Sequence, residues 1–217
     1  MSFDERKIAD DKLPREFYTR DALTVAEDLL GKYLVSRKEE GRTAGMIVET
    51  EAYKGEEDPA SHAFSGEKTE RTKVQFEEGG RAYVYLIYGL YHCFNVVTGK
   101  EGEPGSVFVR ALEPVQGEDI MRKRRGLKDK KSKKEFTNGP GKLCMAMGIN
   151  KKMSGKDLGG EELFVSRSEK EIEVKTAERI NIDYAGEAKK WPWRFFVKGN
   201  PYVSETDRGS RTSPIPE

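Results

Sequence analysis

Tyr83-Val-Tyr-Leu-Ile-Tyr-Gly-Leu-Tyr-His-Cys-Phe-Asn-Val-Val-Thr98 is the most apolar and aromatic window of a chain whose mean hydropathy is only -0.77. Aromatic and β-branched residues on both sides of Gly89-Leu90 read as two strands of a hairpin closed by a two-residue turn. Tyr88 and Tyr91 then flank the tip. Strand parity puts Tyr83 and Tyr85 on one face and Val84, Leu86 and Tyr88 on the other, so one tyrosine can line a pocket while another projects. The same window also fits an ordinary sheet, rings inward and hydroxyls hydrogen-bonded.

Working outward, Gly45-Met-Ile-Val-Glu-Thr-Glu-Ala-Tyr53 alternates as a strand that places Glu49, Glu51 and Tyr53 on one face. Before it, Ala22, Val25, Ala26, Leu29 and Leu30 follow helical spacing, with Gly31 at the C-terminal cap, and a strand is expected over 32–37. Residues 54–66 are rich in Gly, Pro, Asp and Ser and form a loop carrying His62. After the hairpin come a strand over 105–112, a short helix over 118–125 and a basic loop over 128–134. A second helix follows, with Asn138 as cap, Pro140 early and Gly148 at its end. Its N-terminus, with Lys142 nearby, suits a phosphate. Strands are expected at 163–165, 172–174 and 194–197. One domain over 13–204 is expected, between a flexible arm (1–12) and a disordered tail (205–217).

At 217 residues the chain can bury a substantial core. It has no apolar run long enough to cross a membrane and no signal-peptide pattern, so a cytoplasmic, nucleoid-associated protein is expected. Cys93 and Cys144 lack metal or redox spacing, and His62 and His92 have no partners at ligand spacing, which argues against a metal or a disulfide framework. The net charge of +1 does not by itself indicate nucleic acid, but positions 122–134 hold nine Lys or Arg against one Asp.

Glu51 alone reads as an exposed strand carboxylate. Glu49 complicates that: residues two apart on a strand lie about 7 Å apart, within the ~6.5–9.5 Å that separates acid and base in inverting glycosidases. Glycosidic chemistry is thereby suggested.

Larger patterns sharpen it. Ile47-Val-Glu-Thr-Glu51-Ala-Tyr53 with His62, Tyr83-Val-Tyr85-Leu-Ile-Tyr88-Gly-Leu-Tyr91 leading to Asn95, and Arg110-Ala-Leu-Glu-Pro114 together resemble the alkyladenine (3-methyladenine) DNA glycosylase family. Gly139-Pro-Gly-Lys142-Leu-Cys, Asp183-Tyr-Ala-Gly-Glu and Arg194-Phe-Phe-Val197 extend the resemblance in the family's order. It implies a single mixed α/β domain of the α+β type, with a curved antiparallel sheet, peripheral helices and a protruding hairpin. By the same resemblance Tyr88 intercalates into DNA, Tyr53, Tyr85 and His62 hold a flipped base, and Asn95 clashes with the 2-amino group of guanine. Glu51 would be the general base. Arg110 would help hold the water and the backbone phosphate, with the main-chain carbonyl of Val197 as a further water ligand. Lys142 and Arg71 would contact the DNA backbone. The expected partner is double-stranded DNA with a damaged purine, alkylated or deaminated, acted on by a monomer that needs no cofactor and leaves an abasic site.

Two departures stand out. Many members have Thr-Pro-Arg-Asn where this chain has Thr69-Glu70-Arg71-Thr72, and the long amino-terminal extension of some eukaryotic relatives is missing, which suggests a compact prokaryotic form. Two other classes compete. A non-catalytic single-strand binder would use the tyrosines as a stacking platform, yet gains nothing from a carboxylate facing phosphates. A carbohydrate glycosidase would pair Glu49 with Glu51, but the only tryptophans, Trp191 and Trp193, give no sign of a sugar platform.

Overall fold

The computed structural model describes residues 10–127 and 133–204. Residues 1–9, most of the basic loop and the tail from 205 lie outside it. Asp10 and Lys12, which the sequence assigns to a loose arm, are held in place: Asp10 pairs with Arg37, Lys12 pairs with Glu161, and Lys12 also bridges to Ser166.

Eight strands form one antiparallel sheet: β1 (Tyr33–Lys38), β2 (Gly41–Tyr53), β3 (Ala82–Ile87), β4 (Tyr91–Val97), β5 (Ser106–Gln116), β6 (Leu163–Ser166), β7 (Val174–Ala177) and β8 (Arg194–Val197). The main path runs β3-β4-β5-β2-β1-β6. One edge of β2 pairs with β5 nearly throughout, while the other pairs first with β1, through Met46, and then with β8 at Glu49, Thr50 and Glu51. The sheet therefore forks along β2, where irregular register between Ile47 and Thr50 bends the strand. The result is the curled antiparallel sheet of a single mixed α/β domain.

Alternation divides the central strands between two faces. Thr50, Ala52, Val84, Phe94, Val96, Val107, Val109 and Ala111 are fully buried. The α-helices of the described residues are α1 (Arg15–Tyr18), α2 (Ala22–Asp28), α3 (Glu118–Arg124) and α4 (Pro140–Met147). On this buried face of the sheet Thr50 donates its hydroxyl to the carbonyl of Ala26 in α2, and α4 packs on β4 and β5. The apolar stripe read from residues 22–30 is this buried face of α2, capped by Asp21. Glu49, Glu51, Tyr53, Tyr83, Tyr85, Asn95, Phe108 and Arg110 share the other face with loops laid across it.

The strands and helices expected within the described residues are present, with three local corrections. The 172–174 strand begins only at Val174. Helix α4 is capped by Gly139 rather than Asn138, whose side chain accepts instead from Lys142 Nζ at 2.9 Å. Between the paired Ile87 and Tyr91 lie three residues rather than the two of Gly89-Leu90, with Tyr88 (φ 54°) and Gly89 (φ 68°) both left-handed. Twist favours such positive-φ turns, so the tyrosine joins the turn instead of ending the strand.

The loop bearing His62 starts at Gly55, whose φ is +69° and whose added Cβ would sit 1.8 Å from the carbonyl oxygen of Pro104. Gly55→Ala is expected to lower stability by at least about 2 kcal/mol through the combined backbone and steric cost. A urea midpoint unchanged from wild type would contradict this.

Candidate active site

A cavity of about 740 Å³ opens on the loop-covered face of the sheet, a volume typical of small-molecule sites. Rings of Tyr53, Tyr83, Tyr85 and His62 form its walls, and Arg110, Asn95 and Ser106 its polar floor. Tyr88, at the mouth, is 75% exposed. A larger groove elsewhere is bordered by exposed charges such as Arg20, Asp28 and Lys170 and has no comparable set of buried polar groups.

Glu51 is fully buried, against the plain reading of its sequence position. Its Oε2 accepts from the Tyr53 hydroxyl (2.9 Å) and from Arg110 Nη1 (3.2 Å), and its Oε1 from the backbone N–H of Ile180 (2.8 Å). A carboxylate offers roughly four acceptor positions, so one is left for a proton donor. Burial pulls the Arg110 guanidinium down, but Glu51 and Glu49 outweigh it and hold the group above its ordinary value. Burial, then the Glu51 carboxylate, raises Tyr53 well above its ordinary value, so the phenol stays protonated as a donor.

Glu49 faces a different set of partners. It accepts from Arg194 Nη1 (2.9 Å), Ser204 Oγ (2.7 Å) and the Ser204 N–H (2.8 Å), and lies 3.4 Å from Arg110 Nε. With its oxygens occupied this way it steadies Arg110 rather than facing the cavity.

His62 touches Arg71 Nη2 through Nε2 (3.0 Å) and the Tyr83 hydroxyl through Nδ1 (2.9 Å). A guanidinium only donates, so Nε2 accepts and Nδ1 carries the proton. Burial, then Arg71, lowers the imidazole to about 4. Its ring meets Tyr85 edge-on at 4.7 Å.

Most of the residues singled out from sequence converge: Glu51, Tyr53, His62, Tyr85, Asn95 and Arg110 at the centre, Tyr88 and Lys142 at the rim. Arg71, expected on the DNA backbone, is exposed at the pocket wall with its guanidinium 5.0 Å from the Tyr85 ring centre. Val197, expected to act through its main-chain carbonyl, pairs with Val174, and strand parity turns its side chain with Phe195 toward the helices. The segment from Arg179 to Tyr184 meets Glu51 through the Ile180 N–H.

Arg179 and Ile180, just before the Asp183-Tyr184 motif, were not anticipated. Arg179, fully buried, makes a bidentate pair with Asp58 and donates to the carbonyl of Ala52 (2.9 Å). It stacks between Tyr53 (4.7 Å) and Trp193 (5.0 Å). Asp58 and Arg179 stand 121 residues apart, and neither lies in a pattern that betrays the contact.

An aromatic slot over a buried, ion-paired carboxylate suits an enzyme of the N-glycosyl hydrolase type. Comparison with known proteins agrees: residues 16–201 match the family described as Methylpurine-DNA glycosylase (MPG). Among curated relatives, a Clostridium novyi protein named "Putative 3-methyladenine DNA glycosylase" is 48% identical over 199 residues, covering 89% of this chain and 98% of that one. Proteins of the same name from Bacillus cereus (47% identity; 88% and 98% covered) and Natranaerobius thermophilus (46%; 89% and 98%) behave alike. The chain belongs to the methylpurine-DNA glycosylase family and is a DNA-repair glycosylase. Among the described residues no helix is long and apolar enough to cross a membrane.

An unfolded imidazole takes a proton near 6.5, whereas folded His62 waits until about 4. The unfolded chain therefore binds more protons between those values, and stability falls as pH drops through that window while staying unaffected above it, by a small amount because His62 is exposed and solvent screens its charge. Titration by NMR is expected to find His62 neutral at pH 5.5. Arg71→Ala should raise its midpoint only partway toward 6.5, because burial is the larger cause; a wild-type midpoint near 6.5 would contradict the arrangement.

Proposed function

We propose that the protein extrudes an alkylated or deaminated purine, 3-methyladenine and hypoxanthine among them, from duplex DNA into this cavity and hydrolyses its N-glycosidic bond. The observation that carries the reading is the Arg110–Glu51–Tyr53 cluster directly beneath a slot walled by tyrosines and histidine. In the reaction the free acceptor position of Glu51 takes a proton from water while the water oxygen attacks C1′. The C1′–N bond breaks with its electron pair leaving on the base; a neutral base such as hypoxanthine departs as an anion that takes up one proton from solvent, which yields a free base and an abasic sugar. Arg110 and the Ile180 N–H keep the carboxylate fixed, so little reorganisation is needed as charge moves. A cationic alkylated base leaves as a neutral molecule without prior protonation.

Aromatic walls favour such bases, since electron-poor purines stack on electron-rich rings. Asn95, whose Nδ2 donates to the Tyr83 carbonyl (3.1 Å), is buried and rigid enough to exclude a guanine 2-amino group. Lys142, the only lysine lining the cavity among the described residues, sits at the rim bonded to Asn138 and serves a phosphate. Used as a phosphate contact, Lys142 is not the nucleophile, in keeping with water attack that leaves the strand uncut.

The reading is tested with duplexes each carrying one lesion, followed by alkaline cleavage of abasic sites. Glu51→Gln keeps size but removes the base; single-turnover excision of hypoxanthine is expected to fall about 10²–10⁴-fold with lesion binding retained. Full activity in that variant would remove Glu51 from the chemistry. Tyr88→Ala concerns the flipping step. As an exposed tip it should leave the melting temperature nearly unchanged, yet base extrusion, read by a fluorescent base analogue, should weaken by the ~1–3 kcal/mol typical of base–aromatic stacking. Unimpaired extrusion would sink the wedge role.

A further inference from the structure

Gln75, in the short 3-10 turn Lys73–Phe76, is 1% exposed and forms part of the cavity wall. Its Oε1 accepts from the hydroxyl of Ser106 (3.3 Å), whereas its Nε2 is buried with no hydrogen-bond partner among the described residues. Unsatisfied buried donors are rare and costly, and in a binding cavity the economical explanation is an acceptor brought by the ligand. Ser106 stands directly across from Tyr53 on the neighbouring strand, and opposed residues share a face. The amide is therefore held at the edge of the slot in which the base would stack on Tyr53.

We infer that Gln75, oriented by Ser106, is a specificity-determining residue that donates to the 6-oxo oxygen of a deaminated purine. The inference rests on the base-excision reading above. With the carbonyl end of the amide engaged by Ser106, the N–H donors are what Gln75 has left to offer a base in the slot. A 6-oxo group accepts from them; the 6-amino group of adenine is itself a donor and leaves both sides unpaired. A site built to hydrogen-bond one substituent rejects its counterpart for this reason. The arrangement thus distinguishes hypoxanthine from the normal adenine it derives from, at a position that Asn95, which guards against guanine, does not serve. A 3-methylated adenine keeps the 6-amino group, so its release gains nothing from Gln75 and depends on the lability of its cationic form.

The test is single-turnover excision of hypoxanthine from a defined duplex beside release of 3-methyladenine from methylated DNA. Gln75→Met preserves length and removes the donors. It is expected to slow hypoxanthine excision about tenfold, the value of one hydrogen bond, while 3-methyladenine release stays within about twofold of wild type. Ser106→Ala frees the amide to turn and should lower the same ratio, which keeps the idea testable if Gln75→Met fails to fold. Equal losses for both bases, no loss for either, or a wild-type enzyme that releases 3-methyladenine but ignores hypoxanthine would overturn the assignment. A wild-type enzyme that releases neither base would instead defeat the base-excision reading itself.

Discussion

Among the described residues the buried charges are six, and they balance: Glu49, Glu51 and Asp58 against Arg110, Arg179 and Arg194. All lie on the pocket side of the sheet. Glu51 and Glu49 share Arg110, Glu49 also holds Arg194, and Asp58 holds Arg179. Removing one member of a buried pair typically costs 3–5 kcal/mol because its partner is left charged and dry, so these groups stand or fall together. Carboxylates can remain buried and charged here only because the guanidiniums around them are equally committed.

The fold follows from supplying those guanidiniums. Arg110 comes from β5, Arg194 from β8 and Arg179 from the segment before it, so both edges of β2 must be occupied near Glu49 and Glu51. That is where the sheet forks. β1 leaves the edge of β2 after Met46 and β8 takes it over, pairing with Glu49 through Phe196 and with Glu51 through Arg194. Asp58 then ties the loop carrying His62 to Arg179, whose guanidinium braces the back of Tyr53. Hence one ion pair aligns a stacking ring, a wall residue and, through the adjoining Ile180 N–H, the carboxylate itself.

Features with a local cause were legible in the chain. Helix α2 showed its buried stripe, β2 showed the alternation that gathers Glu49, Glu51 and Tyr53, and the tyrosine-rich window showed a hairpin. Contacts made at long range left no such trace. Val197 sits in a recognisable strand, yet whether it faces core or cavity depends on how β8 pairs with β2 and β7, and a shift of one residue reverses the answer. Arg71 looks like any exposed basic residue until the 54–66 loop folds back to put His62 within hydrogen-bond reach. Gln75 is invisible for the same reason, since an amide in a polar loop signals nothing before its surroundings are known.

The rim obeys an economy opposite to that of the floor. Below, each charge has an opposite partner and His62 meets the rings of Tyr83 and Tyr85 edge on. Above, Tyr88 occupies a left-handed conformation that costs a non-glycine residue on the order of 1 kcal/mol, and its side chain, three-quarters exposed, recovers almost nothing. Leu90 beside it is as exposed as Tyr88. Folding alone does not account for two large apolar groups presented on a strained turn; a partner that covers them does. The strain is affordable because the hairpin's base is anchored by the pairing of Tyr83 with Asn95 and of Asn95 with Phe108, on the same floor that holds Glu51. Stability is concentrated around the buried ion pairs of the floor, and unspent apolar surface is left at the rim, at Tyr88 and Leu90.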